Sequence, residues 1–284
     1  MNLKIVLSRM RKSYFFIIGA FLLVFLVLIC YIGPLFLPWD YQTNVLSDRF
    51  MAPEWFSRGL EGHILGTDSL GRDILTRILI GGQNSFRISL VAVILTAVIG
   101  VVLGLISGYY GGWVDSVIMR LVDVLQALPT LILAIAVIAI LGNSEPVLLA
   151  VMIFSGWAMS CKIVRNTVKV VMHQEFISAS KVLGASPTHI MFRQVFPNTT
   201  TYIIISTSQR LGTMIMLEAA LSFLQVGIMP PKPSWGNMIS SGRQYLLTQP
   251  WMIIWPGIVL SLAILAFCFL GDGVRDVLDT KLKV

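Results

Sequence analysis

From Ser13 to Trp39, from Ile88 to Trp113, from Val124 to Ser144 and from Gln244 to Gly271, the chain carries no charged side chain. A bilayer core needs about 20 mainly apolar residues per helix, and each of these stretches supplies that length. Two further candidates are less clean: the run between Glu145 and Lys162, and Tyr202–Leu224, which Arg210 and Glu218 interrupt. Six transmembrane helices follow. Composition agrees: 56% of the 284 residues are hydrophobic and 12% charged, against about a quarter charged in soluble domains. Too little polar surface exists to cover a water-soluble particle, which excludes a soluble enzyme. The net charge of +7 does not imply a nucleic-acid partner, because the basic residues lie scattered between apolar runs. Cytoplasmic loops of membrane proteins attract Lys and Arg, and that bias explains the charge.

The N-terminal Lys4, Arg9, Arg11 and Lys12 followed by an apolar run resemble a secretory signal. The run is longer than a signal core and lacks an A-x-A-like cleavage site, so it reads as a retained first helix. Six spans place both termini on one side. With that side cytoplasmic, the inner segments hold Arg120, the cluster Lys162, Arg165, Lys169, Lys181 and Arg193, and the tail cations Arg275, Lys281 and Lys283. The outer segments hold fewer cations, and the first of them, with Arg58 among its cations, also carries Asp40, Asp48, Glu54, Glu61, Asp68 and Asp73. The chain divides into a cytoplasmic N-terminus with the first helix (1–40), an extracytoplasmic segment (41–85) and a five-helix core (86–284) with an inner loop at about 162–200. Cys30, Cys161 and Cys268 are an odd, widely spaced set. They form neither a disulfide framework nor a metal pattern and read as apolar packing residues.

In the inner loop, Phe176, Ile177, Val182 and Leu183 fit a short amphipathic helix running into Gly184, a residue able to end helices in the left-handed conformation. Ser186-Pro187 then reads as an N-cap and first helical position, and Pro197 is expected to stop the second helix. The loop is thus helix, sharp turn, helix. A structured connector would account for it, but a connector needs no such defined bend. The small residues Ser178, Ala179, Ser180, Gly184 and Ala185 suit close docking by another protein.

In the outer segment, Gly66, Gly71 and the Thr67-Asp68 and Arg72-Asp73 pairs read as a hydrogen-bonded turn, with Arg72 available to nearby acids. A metal-site reading of His63, Asp68 and Asp73 is weak, since no second His lies near. Charges inside spans are expensive and face a bundle interior or a watery path. Arg210 and Glu218 therefore either partner neighbours and headgroups or line a translocation path. Asp115, Arg120 and Asp123 are expected to anchor the inner end of the third helix.

The spacing Ser178-Ala179-Ser180-x3-Gly184, with Pro197-Asn198 thirteen residues after the glycine, resembles the loop through which permeases of binding-protein-dependent ABC importers dock on their ATPase. His63–Asp73 with Thr76-Arg77, Pro230–Gly236 and Gly271–Asp279 are similar to signatures of the oligopeptide/dipeptide/nickel branch, in its second, C-type permease. The likeness spans nearly the whole chain in order. Ser178 stands where that family has Glu, Ser180 where it has its second Ala, Gln225-Val226 where Gly-Leu is usual, and Thr280 where Pro is common.

The resemblance implies an all-α, type I ABC importer permease fold with a cytoplasmic coupling-helix loop, containing Ser178, Ala179, Ser180, Lys181, Gly184, Ala185 and Pro197. It implies a bacterial or archaeal cytoplasmic membrane and no bond-making chemistry in this chain. ATP and Mg would be bound by one or two kinds of partner ATPase; the chain has no G-x-x-x-x-G-K-[ST] loop of its own. A second homologous permease, an extracytoplasmic solute-binding protein and membrane lipid would complete the setting. A self-contained proton-coupled carrier or channel competes, but no internal duplication is evident. A membrane enzyme lacks a His/acid/Ser constellation. Peptide is the leading cargo on family breadth, and nickel or a metal chelate is the alternative.

Overall fold

A computed structural model describes residues 3–55 and 62–278, with the backbone alone for residues 3–6. Arg58, Glu61, Asp279, Thr280, Lys281 and Lys283 lie outside the described residues. The helices are α1 (Leu3–Met10), α2 (Tyr14–Ile32), α3 (Ile74–Tyr110), α4 (Gly112–Ala127), α5 (Thr130–Leu141), α6 (Glu145–Met172), α7 (Glu175–Val182), α8 (Pro187–His189), α9 (Phe196–Phe223), α10 (Trp235–Gly242) and α11 (Trp251–Leu278). Among the described residues no strand forms.

Four helices, α2, α3, α6 and α11, are long and apolar enough to cross a membrane, and α4 with α5, bent by 90°, meets the same criterion only when the pair is taken together. The bend falls where Pro129 disfavours helical angles for the residue before it; Leu128 is extended, with φ −92° and ψ 129°. The expected third span, Val124–Ser144, is therefore two pieces, and Asp115, Arg120 and Asp123 lie within α4 rather than before a span. α9 has the length, at 28 residues, but Gln209, Arg210, Glu218 and its hydroxyl residues dilute its apolarity.

The termini meet. Arg9 Nη1 donates to the Val277 carbonyl at 3.4 Å, and Gly19 and Gly273 let α2 and α11 touch backbone to backbone. α3 and α6 pack through small residues: a Cβ at Gly104 would lie 2.7 Å from both the Cys161 carbonyl oxygen and the Val164 Cβ, and Gly100 and Gly108 abut Ser160 and Val168. Close approach at small residues is how helices associate in lipid, where no hydrophobic effect drives them together. One end of this pair is tied by Asp115, which accepts from Arg165 (2.7 and 2.6 Å), Lys169 (2.7 Å) and Ser107 (2.6 Å). One acid thus binds α3, α4 and α6, as an anchor of the third span should. At the other end, Trp235 is fully buried and donates from Nε1 to the Ile78 carbonyl at 3.0 Å, with Phe86 edge-on to its ring.

α3 starts at Ile74, well before the expected Ile88, so the boundary placed at residue 85 falls inside a helix. Asp73 caps α3 by accepting from the Thr76 amide at 2.7 Å. The charges that mask this start are neutralised: Arg77 reaches the Tyr41 carbonyl and Asp68, and Arg87 pairs with Glu145 at 2.7 Å.

Candidate functional site: an inner loop, an outer turn and a mid-depth groove

α7 ends in a Schellman arrangement. Gly184 has φ 78°, its amide donates to the Lys181 carbonyl at 3.1 Å, and the Ala185 amide donates to the Ser180 carbonyl at 3.0 Å; both bonds satisfy carbonyls the helix end would leave open. The bend at Gly184 is as expected. Ser186 then caps α8, its Oγ accepting from the His189 amide. Pro197, by contrast, stops nothing. Helical geometry continues from α8 through a π-turn at Ile190–Val195 into α9, and Pro197 occupies the first turn of α9, where a missing N–H is tolerated.

The apolar residues of the loop face two ways. Ile177 is fully buried with Val171, Ile190 and Val195, whereas Val182 is 88% and Leu183 85% exposed. Ser178, Ala179, Lys181 and Gly184 are exposed beside them, and Ala185 is half-buried. Ser180 ties the limbs together, accepting from Gln194 Nε2 at 2.8 Å. The result is a rigid bend, fastened at Ile177, that holds two bare aliphatic side chains at its tip. Val182 and Leu183 belong to this surface although the sequence placed them, with Phe176 and Ile177, only on the apolar face of a short amphipathic helix.

The outer turn is bonded far more densely. Asp68 accepts from the amides of Leu70 (2.8 Å) and Arg72 (3.1 Å) and pairs with the Arg72 guanidinium at 2.7 Å and Arg77 at 3.5 Å. Thr67 Oγ1 accepts from the Met51 amide at 2.9 Å and donates to the Asp48 carbonyl. Gly66 and Gly71 have φ 81° and 74°. His63 is buried, stacked on Trp39 with ring centroids 4.2 Å apart, and its Nδ1 lies 2.9 Å from Asp73 Oδ1. Asp73 is thereby a helix cap and a histidine partner, and among the described residues no group of three or more His, Cys, Asp or Glu is placed to hold a metal ion. Beside this turn opens a bowl of about 640 Å³, lined in part by Leu70, Arg72, Gln225, Ser240 and Arg243.

The two charges of α9, Arg210 and Glu218, part company. Glu218 is fully buried: Ser222 donates to its Oε1 at 2.7 Å and its Oε2 has no partner. It reaches no open path in this structure. Arg210 instead lines a groove of about 290 Å³ together with Thr130, Leu131, Ser155, Gly156 and Thr213. The small polar residues Ser155 and Thr213 are the sequence signal for this groove, and sequence reasoning did not use it.

The bent pair α4–α5, the exposed tip at Val182 and Leu183 and the groove beside Arg210 are thus carried by one set of long apolar helices. Residues 100–284 match the family of binding-protein-dependent transport system inner membrane components, and residues 2–53 match the N-terminal transmembrane domain of oligopeptide transport permease C. The chain belongs to that family. It is 36% identical to the dipeptide transport system permease protein of Alkalihalophilus pseudofirmus, covering 97% of this chain and 89% of that one. It is 38% identical to a glutathione transport system permease protein of Pectobacterium atrosepticum (97% and 90% covered) and 34% to the oligopeptide transport system permease protein of Bacillus subtilis (97% and 88%). The solved inward-facing MetNI methionine ABC transporter contains a chain with the same fold, at TM-score 0.56 and 18% identity, over 71% of this chain and 96% of that one.

Proposed function

We propose that the chain is the C-type permease of an ABC importer for di- or oligopeptides, with six spans and both termini cytoplasmic. The observation that carries this reading is full-length similarity to dipeptide, glutathione and oligopeptide permeases, joined to a bent loop whose tip exposes Val182 and Leu183. The nickel alternative finds no support among those relatives. On this reading α9 is the fifth of the six spans, which the adjacency of Arg9 and Val277 supports by keeping the termini at one end.

The loop at 175–195 docks on a partner ATPase that binds ATP and Mg, of one or two kinds. Closure of the ATPase pair moves the loop, and the spans rock between inward and outward access. A second permease of similar fold closes the path, because the groove beside Arg210 is open along one side. A solute-binding protein delivers cargo at the outer bowl near Arg72 and Arg243.

Gentle purification of the tagged chain with mass spectrometry tests the class. The expected companions are a chain with a phosphate-binding loop and a second multi-span permease, and the reconstituted assembly should take up labelled peptide only with ATP. A chain that purifies alone and transports without ATP would return the carrier reading to first place.

A further inference from the structure

The cations of the outer surface mostly have partners: Arg72 and Arg77 share Asp68, while Arg87 and Lys232 share Glu145. At the inner end Arg165 and Lys169 share Asp115. Arg210 is different. It stands midway along α9 and faces the middle of α6, where Nη2 donates to the Gly156 carbonyl at 2.8 Å. Nε is buried without a partner. Among the described residues no carboxylate lies within ion-pair distance of its guanidinium; Glu218, two turns along, is turned into the protein and bonded to Ser222.

A guanidinium at mid-span with only a carbonyl for company is costly, and such groups persist where a path or an opposite charge needs them. Arginine cannot shed its charge, and an anion entering the groove would meet a guanidinium that, among the described residues, has no carboxylate partner of its own. The groove it lines is lined also by Thr130, Ser155 and Thr213 and by the apolar Leu131 and Leu217; the Ser155 and Thr213 hydroxyls donate to the Val151 and Arg210 carbonyls, which leaves their oxygens to accept. Hydroxyls beside one fixed cation suit a small zwitterionic or anionic solute, whose carboxylate a guanidinium engages in a two-pronged bond.

The geometry points to Arg210 as the group in the translocation groove that takes the carboxylate of the passing cargo, the C-terminal carboxylate in a peptide. This rests on the peptide-importer reading and adds to it a contact inside the membrane. The contact is transient by construction, because Arg210 keeps the Gly156 carbonyl to return to.

The test uses the whole reconstituted importer in proteoliposomes, with its binding protein saturated by a labelled peptide or by the same peptide amidated at its C-terminus. In the unmodified importer the maximal ATP-dependent uptake rate should be at least about tenfold lower for the amide, the size expected for a hydrogen bond to a charged group. Arg210→Gln should lower uptake of the free acid by a similar factor and leave uptake of the amide almost unchanged, while Arg210→Lys should retain part of the free-acid rate. Equal rates for the two peptides in the unmodified importer would overturn the assignment without need of any variant. Equal losses for both peptides in Arg210→Gln would also overturn it, and would assign Arg210 to an acid of the partner permease. If the unmodified importer moves neither peptide with ATP, the peptide reading itself fails.

Discussion

Gly71 and Gly184 share a backbone conformation and little else. Both have positive φ, 74° and 78°, and both turn the chain just outside a helix. A Cβ on Gly71 would collide with the Val45 carbonyl, whereas nothing lies within 4 Å of one on Gly184. The outer turn is densely hydrogen-bonded and packed around Gly71, and the inner bend is held from behind and bare in front. A scaffold must satisfy its polar groups within the chain, while a docking surface leaves apolar groups for another chain to cover. The same motif, a glycine-made turn, thus serves opposite ends according to what surrounds it.

Four substitutions probe that contrast, ranked by their effect on the folded chain. Asp68→Ala removes the acid between Arg72 and the buried Arg77, and stranding a buried charge costs about 3–5 kcal/mol; the thermal unfolding midpoint in detergent should fall sharply, and an unchanged midpoint would remove the scaffold role. Gly71→Ala adds a clash to the ~1–2 kcal/mol of left-handed strain, so its loss in the same measurement should exceed that of any residue placed at Gly184. Gly184→Val meets open space and carries strain alone, about 1–2 kcal/mol. Its unfolding midpoint should shift modestly while ATP-dependent uptake collapses, and normal uptake would refute the need for the bend. Leu183→Asp, on an 85% exposed side chain, should change stability by less than about 0.5 kcal/mol yet reduce co-purification of the ATPase. Full retention of the ATPase would show that the tip is not its contact.

The spans were legible because lipid imposes one demand, a long charge-free run, which α2 and α11 contain and α6 meets only between Glu145 and Lys162. The start of α3 was hidden because Arg77 and Arg87 look like a boundary in sequence and are neutralised only in space, by Asp68 and Glu145. The break at Leu128-Pro129 was written in the proline, but a charge-based count passes over it. Pro197 misled in the other direction: a proline after a polar loop looks like a stop until the π-turn before it is seen to feed a new helix. The outer turn followed from its glycines and acid–base pairs. Glu218 and Arg210 were both visible as intramembrane charges, yet which one faces a groove depends on helix rotation. That rotation is fixed by neighbours such as Gly156 on α6, whose carbonyl takes Arg210, and Gly236 on α10, which abuts Ala219, and no local spacing encodes it.

The uninterrupted helical path from Pro187 to Phe223 has a mechanical consequence. The bend at Gly184 sits just before the near end of this shaft, and Arg210 stands on it, about 20 Å beyond Pro197 at 1.5 Å per residue. Torque applied at the tip needs no relay of intermediate side chains to arrive at the groove. On the proposed reading, a quarter-turn of α9 would carry Arg210 off the Gly156 carbonyl in the same stroke and would gear hold and release of the cargo directly to the ATPase.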